Sequence, residues 1–248
     1  MKLLTQACLL TALGASLPAF GANFAVVGLG FEGLQLANNQ GTYQPAQVWE
    51  FYDGAFSRSA DGSVNLVIGP DYDVAFNASA LALRSTAANG ISNFAQRFLD
   101  TQGGTPLTNL GVAALFYDSN APVLNFASGF GVGFSFYYAS TAAITVTLFD
   151  GFDASGTPLG SDSFRPTPTC TLQDNSYCAW SIGAISFAGV ARSVRFDGLQ
   201  SQALFDNVTF GSITPIDGVI PVPEPATYAL AAIGLLVVGA AARRRRRA

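Results

Sequence analysis

The sequence predicts an all-β chain: an antiparallel two-sheet sandwich of jelly-roll type, followed by a single C-terminal transmembrane helix. Three observations carry this expectation. Short apolar runs alternate with a period of two, turn-forming pairs separate them, and an uncharged apolar stretch closed by arginines ends the sequence.

In chain order, the first element reads as an export signal. Lys2 precedes an apolar region from Leu3 to Leu17, and Pro18 and small residues follow, so residues 1–21 are expected to be a signal peptide. The cut is expected after Gly21, with Ala22 as the neighbouring option. Cys8 falls inside this segment and leaves with it.

Residues 22–214 are expected to form the β-sandwich ectodomain. Val64, Leu66 and Ile68 alternate with Asn65 and Val67; Phe134, Phe136 and Tyr138 with Ser135 and Tyr137; Ile144, Val146 and Leu148 with Thr145 and Thr147. Such runs fit strands with one buried face. Asp61-Gly62, Gly69-Pro70, Gly103-Gly104, Asp150-Gly151, Ser155-Gly156 and Asp197-Gly198 mark the turns between them. Only Ile91 to Leu99 reads as a short helix, with Phe94 and Phe98 on one side.

One pattern competes with this reading. Gly28, Gly30 and Gly33 satisfy a dinucleotide-binding glycine spacing after an apolar run, and Asp53 stands about 20 residues further on. That motif needs a helix after its third glycine, whereas Phe31 to Gln40 is short, contains Asn38 and Asn39, and leads back into strands. The glycines are therefore read as strand and turn residues.

Composition narrows the chemistry. Residues 22–216 carry 14 acids and 6 arginines, a net charge of −8 without a lysine, so a phosphate backbone would be repelled and nucleic acid is excluded as a partner. The chain has no histidine, which removes Ser-His-Asp triads, Cys-His pairs and histidine-bound zinc. Cys170 and Cys178 stand close together among turn formers, and in an oxidising compartment they are expected to close a local disulfide loop. The sequons at Asn77 and Asn207 are read as turn and strand residues.

The expected function is therefore binding rather than catalysis. Trp49, Tyr52, Phe130, Tyr137, Tyr138 and Phe149 are more aromatic residues than one interior face needs, and exposed rings stack on sugars, although core filling accounts for any single one of them. Extracellular polysaccharide is the candidate ligand. The alternative is a secreted glycoside hydrolase using paired carboxylates, for which Glu32, Glu50 and several aspartates are available without anything selecting a pair.

The C-terminal segments are the most specific. Residues 215–225 read as a linker ending in Val222-Pro223-Glu224-Pro225, and residues 226–248 as the transmembrane helix with its arginine cluster. The 17 residues from Ala226 to Ala242 carry no charge, and at helical rise they span about 26 Å, close to a hydrocarbon core of about 30 Å. Arg243, Arg244, Arg245, Arg246 and Arg247 act as a stop-transfer signal that stays cytoplasmic, which places the preceding chain across the bilayer.

The triplet, the apolar span and the terminal arginines resemble the PEP-CTERM sorting tail of bacterial surface proteins. The resemblance implies recognition and cutting near Pro223-Glu224-Pro225 by a membrane-embedded processing enzyme, exosortase, and display at the cell surface. Similar tails also bear the label of an ice-binding protein C-terminal segment. Phe31-Glu32-Gly33-Leu34, Phe51-Tyr52-Asp53-Gly54, Ala80-Leu81-Ala82-Leu83, Gly133 to Tyr138, Phe187 to Ala191 and Phe205 to Phe210 are similar to stretches of the domains that precede such tails. This implies a sandwich related to carbohydrate-binding jelly rolls, in which Glu32 and Asp206 would correspond to the ligands of a structural calcium. The same two acids read equally as strand-end residues satisfied by backbone N–H groups or water. No other cofactor is expected.

Overall fold

The computed structural model describes residues 25–31, 34, 38–39, 42–43, 46–59, 64–84, 113–117, 122–168, 179–198, 201–216 and 218–220. In chain order the strands are β1 (Val26–Leu29), β2 (Asn38–Asn39), β3 (Thr42–Tyr43), β4 (Ala46–Gln47), β5 (Phe56–Ser59) and β6 (Val64–Ile68). Next come β7 (Val74–Phe76), β8 (Ala80–Arg84), β9 (Ala113–Tyr117), β10 (Val123–Phe130), β11 (Gly133–Ser140) and β12 (Ile144–Phe149). The last five are β13 (Pro158–Phe164), β14 (Ser181–Ser186), β15 (Ala191–Asp197), β16 (Ala203–Phe210) and β17 (Gly218–Ile220).

These strands form the all-β, antiparallel architecture that the period of two predicts. The larger sheet runs β14-β11-β16-β9-β8-β4-β5-β6, and β1 joins it between β16 and β17. The smaller sheet runs β13-β12-β15-β10-β7, and β2 pairs with β3 apart from both. Pairing is antiparallel in each ladder.

Aromatic rings join the two sheets face to face. Phe210 on β16 meets Phe126 and Phe130 on β10, each with ring centroids 5.0 Å apart. Phe196 on β15 meets Phe205 on β16 at 5.0 Å and Phe134 on β11 at 6.2 Å. Most of these are edge-to-face contacts, each contributing about 0.5–1.5 kcal/mol beyond the burial of its rings. Phe134, Phe136, Ile144, Val146 and Leu148 are all buried, as their alternation requires.

Ile68 departs from that pattern and is 61% exposed. β6 ends the order of the larger sheet and pairs only with β5, so the alternation identifies a strand without guaranteeing a covered face. The expected helix over Ile91–Leu99 lies outside the described residues. So do the signal peptide, Cys170, Cys178 and the whole segment 221–248. Among the described residues no helix is long and apolar enough to cross a membrane.

Among the described residues that follow β1, namely Gly30, Phe31, Leu34 and those of β2, none is helical. The chain turns sharply at Phe31, whose φ is 59° and whose N–H donates to the Tyr52 hydroxyl at 3.0 Å. Gly28 has a different purpose: a β-carbon there would overlap the backbone of Ile216, which crosses β1 at this point. Gly28 is thus required by a close approach of two backbones.

Candidate functional site

β16 is an interior strand of the larger sheet, bordered by β11 on one side and by β1 and β9 on the other. It is buried along almost its whole length. Between the pairs Ser135↔Thr209 and Tyr137↔Asp206 it carries one extra residue, a β-bulge with Asn207 at φ 47°. Asparagine tolerates this left-handed conformation better than most residues. The bulge lets Phe205 and Val208, three positions apart, both enter the core.

The same bulge gathers buried oxygens. Asp206 is fully buried, and its Oδ1 accepts the Asn207 N–H at 2.7 Å. Asn207 Oδ1 and Ser135 Oγ are buried without a hydrogen-bond partner. Thr209 Oγ1 accepts the Ile216 N–H at 2.9 Å, and its single proton is shared between the Asn207 carbonyl at 2.8 Å and the Ile216 carbonyl at 3.2 Å. Of the two expected calcium ligands the structure therefore places Asp206, while Glu32 lies outside the described residues. The Asp206 carboxylate and the Asn207 amide oxygen, next to each other in sequence and both buried, are oxygen donors of the kind that a hard cation takes.

A second group of acids was not singled out as a set by sequence reasoning. Asp53 and Asp71 form an isolated antiparallel bridge, and carboxylate oxygens of Asp53, Asp71 and Asp73 lie within 4.8 Å of one another. One bond is local and two join the segments: Asp53 N–H donates to the Glu50 carbonyl, while Gly54 N–H donates to Pro70 and Tyr72 N–H to Tyr52. Gly54, at φ 72°, takes the left-handed conformation that the turn at this position requires. Partial desolvation, and then the charges of Asp71 and Asp73, hold the Asp53 carboxyl above its usual value. Asp53 and Asp71 are exposed, so the group is a repulsive surface cluster rather than an enclosed acid–base pair. Only the Asp71-x-Asp73 spacing could have hinted at it.

The aromatic candidates are mostly structural. Tyr52, Phe130, Tyr138 and Phe149 are buried, which removes them as stacking platforms; Trp49 and Tyr137 are half-buried. The Tyr138 hydroxyl donates to the Arg165 carbonyl at 3.1 Å, and burial pushes its phenol above the usual value against a lowering hydrogen bond from Ser181. Exposed rings are found instead at Phe56 and at Phe152, where the Arg192 guanidinium lies 5.5 Å from the ring centroid. Sequence alone could not sort these rings, because inward and outward aromatics look alike until the sheets are paired.

Beyond Ile220 the chain enters the segment that a family comparison recognises: residues 221–247 match the PEP-CTERM protein-sorting motif. The chain carries a PEP-CTERM tail. This tail marks the protein for export and membrane-anchored sorting, with the membrane enzyme exosortase as its processing partner. The match covers about a tenth of the sequence and describes the PEP-CTERM tail, not the sandwich.

No curated protein matches the chain. Among solved structures it is similar to a glycoside hydrolase family 43 arabinoxylan arabinofuranohydrolase from Bacillus subtilis in complex with cellotetraose. That match has 18% identity and a TM-score of 0.33, over 62% of this chain and 32% of that one. It is also similar to the K2 cleaved adhesin domain of Lys-gingipain, at 13% identity and a TM-score of 0.36, over 75% of this chain and 98% of that one. The chain thus spans about a third of the hydrolase's length, and similarities this low carry no conclusion about activity.

Proposed function

We propose that the protein is a non-enzymatic surface module: exported by its N-terminal signal, held in the membrane by residues 226–248, released by exosortase near Pro223-Glu224-Pro225, and displayed as a jelly-roll-like sandwich in extracellular polysaccharide. The PEP-CTERM match at residues 221–247 carries this reading. The acidic, histidine-free body supports it, because it offers few means of catalysis and little attraction for nucleic acid.

A structural calcium belongs to the same proposal. Asp206, the Asn207 amide oxygen and Glu32 are the residues that would hold it, and the ion would neutralise a buried carboxylate and fix the β16 bulge. Isothermal titration of the exported chain with calcium, beside Glu32→Ala and Asp206→Asn, tests the site. Heat from the wild type that both variants lose is expected; no heat from the wild type removes it.

Sorting is tested by producing the full chain in a bacterial host with and without exosortase. A shortened form at the surface or in the medium is expected only with the enzyme, and a full-length membrane-bound form without it. Release that ignores the enzyme would refute the assignment. A polysaccharide array scored together with reducing-sugar release then addresses the ligand: retention without release supports binding, and release establishes the hydrolase instead.

A further inference from the structure

The last described strand, β17, ends at Ile220, immediately before the sorting tail. β17 pairs with β1 in the register Val26↔Ile220, Val27↔Val219 and Gly28↔Gly218. Only Pro221 and Val222 separate Ile220 from Pro223. Residues 221–225, all that stands between the sheet and the apolar span, reach at most about 17 Å when fully extended.

Upstream of β17 the chain is fixed independently. Ile216 is seated on Gly28, and the Thr209 hydroxyl binds both its N–H and its carbonyl. Downstream the sequence is rich in proline. Pro221, Pro223 and Pro225 occupy alternate positions and lack N–H groups, so one edge of this segment has no donors to offer. β17 is thus a three-residue strand that follows a firm latch and immediately precedes the proline-rich segment of the sorting motif.

Resting on the sorting assignment above, we infer that β17 is a detachable stem, which must leave β1 before exosortase can cut the tail, while the Gly28–Thr209 latch on Ile216 keeps the sandwich closed. A processing enzyme that takes its substrate extended needs free backbone groups along it, and those of β17 are engaged with β1. A strand this short is the least costly part of a sheet to open locally. Detachment adds the residues of β17 to the accessible segment and moves the folded body away from the membrane.

The same register brings both chain ends out together. Val26 opens β1 and Ile220 closes β17, and the two are cross-strand partners. The N-terminal segment and the sorting tail therefore leave the sandwich at one pole, so one membrane can hold both while the fold completes.

The test uses the full chain in an exosortase-containing host. Val26→Cys combined with Ile220→Cys places two thiols at cross-strand positions, where Cα spacing suits a disulfide. Once non-reducing mapping confirms the bond, processing is expected to slow by at least about tenfold and to recover with reductant, because the bond holds the pair shut. Inserting a flexible Gly/Ser segment between Ile220 and Pro221 is expected to restore cutting to the locked chain and to quicken it in the otherwise unaltered one. Locked chain cut at the wild-type rate, or an insertion without effect on an unlocked chain that is cut normally, overturns the stem. Wild-type chain that reaches the membrane but is never shortened overturns the sorting assignment itself.

Discussion

Gly28 and Ile216 occupy touching backbone positions, so that a β-carbon on residue 28 would collide with the Ile216 carbonyl. This contact joins the second-last strand, the first strand and the exit of the sorting tail.

Gly28→Ala should therefore destabilise the protein by about 2–4 kcal/mol, because backbone must move to admit the methyl group. Chemical denaturation of the purified exported chain measures this. An unchanged midpoint would mean that the crossing at Gly28 is wrongly placed.

Thr209→Val should cost about 1–3 kcal/mol, since it leaves the Ile216 N–H and the Asn207 carbonyl without the hydroxyl that serves both. Thr209→Ser keeps that hydroxyl and should retain most of the stability. Equal losses in the two variants would show that the methyl group, not the hydrogen bonds, matters here.

Asp53→Asn should stabilise slightly at neutral pH. The native Asp53 carboxyl is held above its usual value, so the folded state binds the proton more tightly than the unfolded chain. Its ionised form thus costs stability at neutral pH, and that cost fades as the pH falls through the raised native value. Thermal melts of wild type and variant should differ at pH 7 and converge in acid; a wild type favoured at pH 7 would contradict the repulsion.

Phe196→Ala should cost about 3–5 kcal/mol, because this fully buried ring bridges the sheets through Phe134, Phe136 and Phe205. Phe152→Ala, at a ring 44% exposed, should stay within about 0.5 kcal/mol. Denaturation of the two variants side by side checks which rings join the layers.

Local patterns were legible. The alternation of Phe134, Phe136 and Tyr138 and of Ile144, Val146 and Leu148 maps onto β11 and β12, and Asp150-Gly151 and Ser155-Gly156 fall in the turn before β13. The β16 bulge was not legible, because the extra residue at Asn207 breaks the period on which the reading depends. The meeting of Asp53 with Asp71 and Asp73 was not legible either, because it depends on pairing between segments 18 and 20 positions apart.

The sorting tail was legible in the sequence alone, since Pro223-Glu224-Pro225, the uncharged run and the arginines form a signal that is defined by linear order. Tertiary structure alone decided that β1 lies between β16 and β17 and that Gly28 accommodates Ile216. The reason is physical: strand composition favours extended chain and a buried face, while the choice of partner depends on which distant segments close one core together.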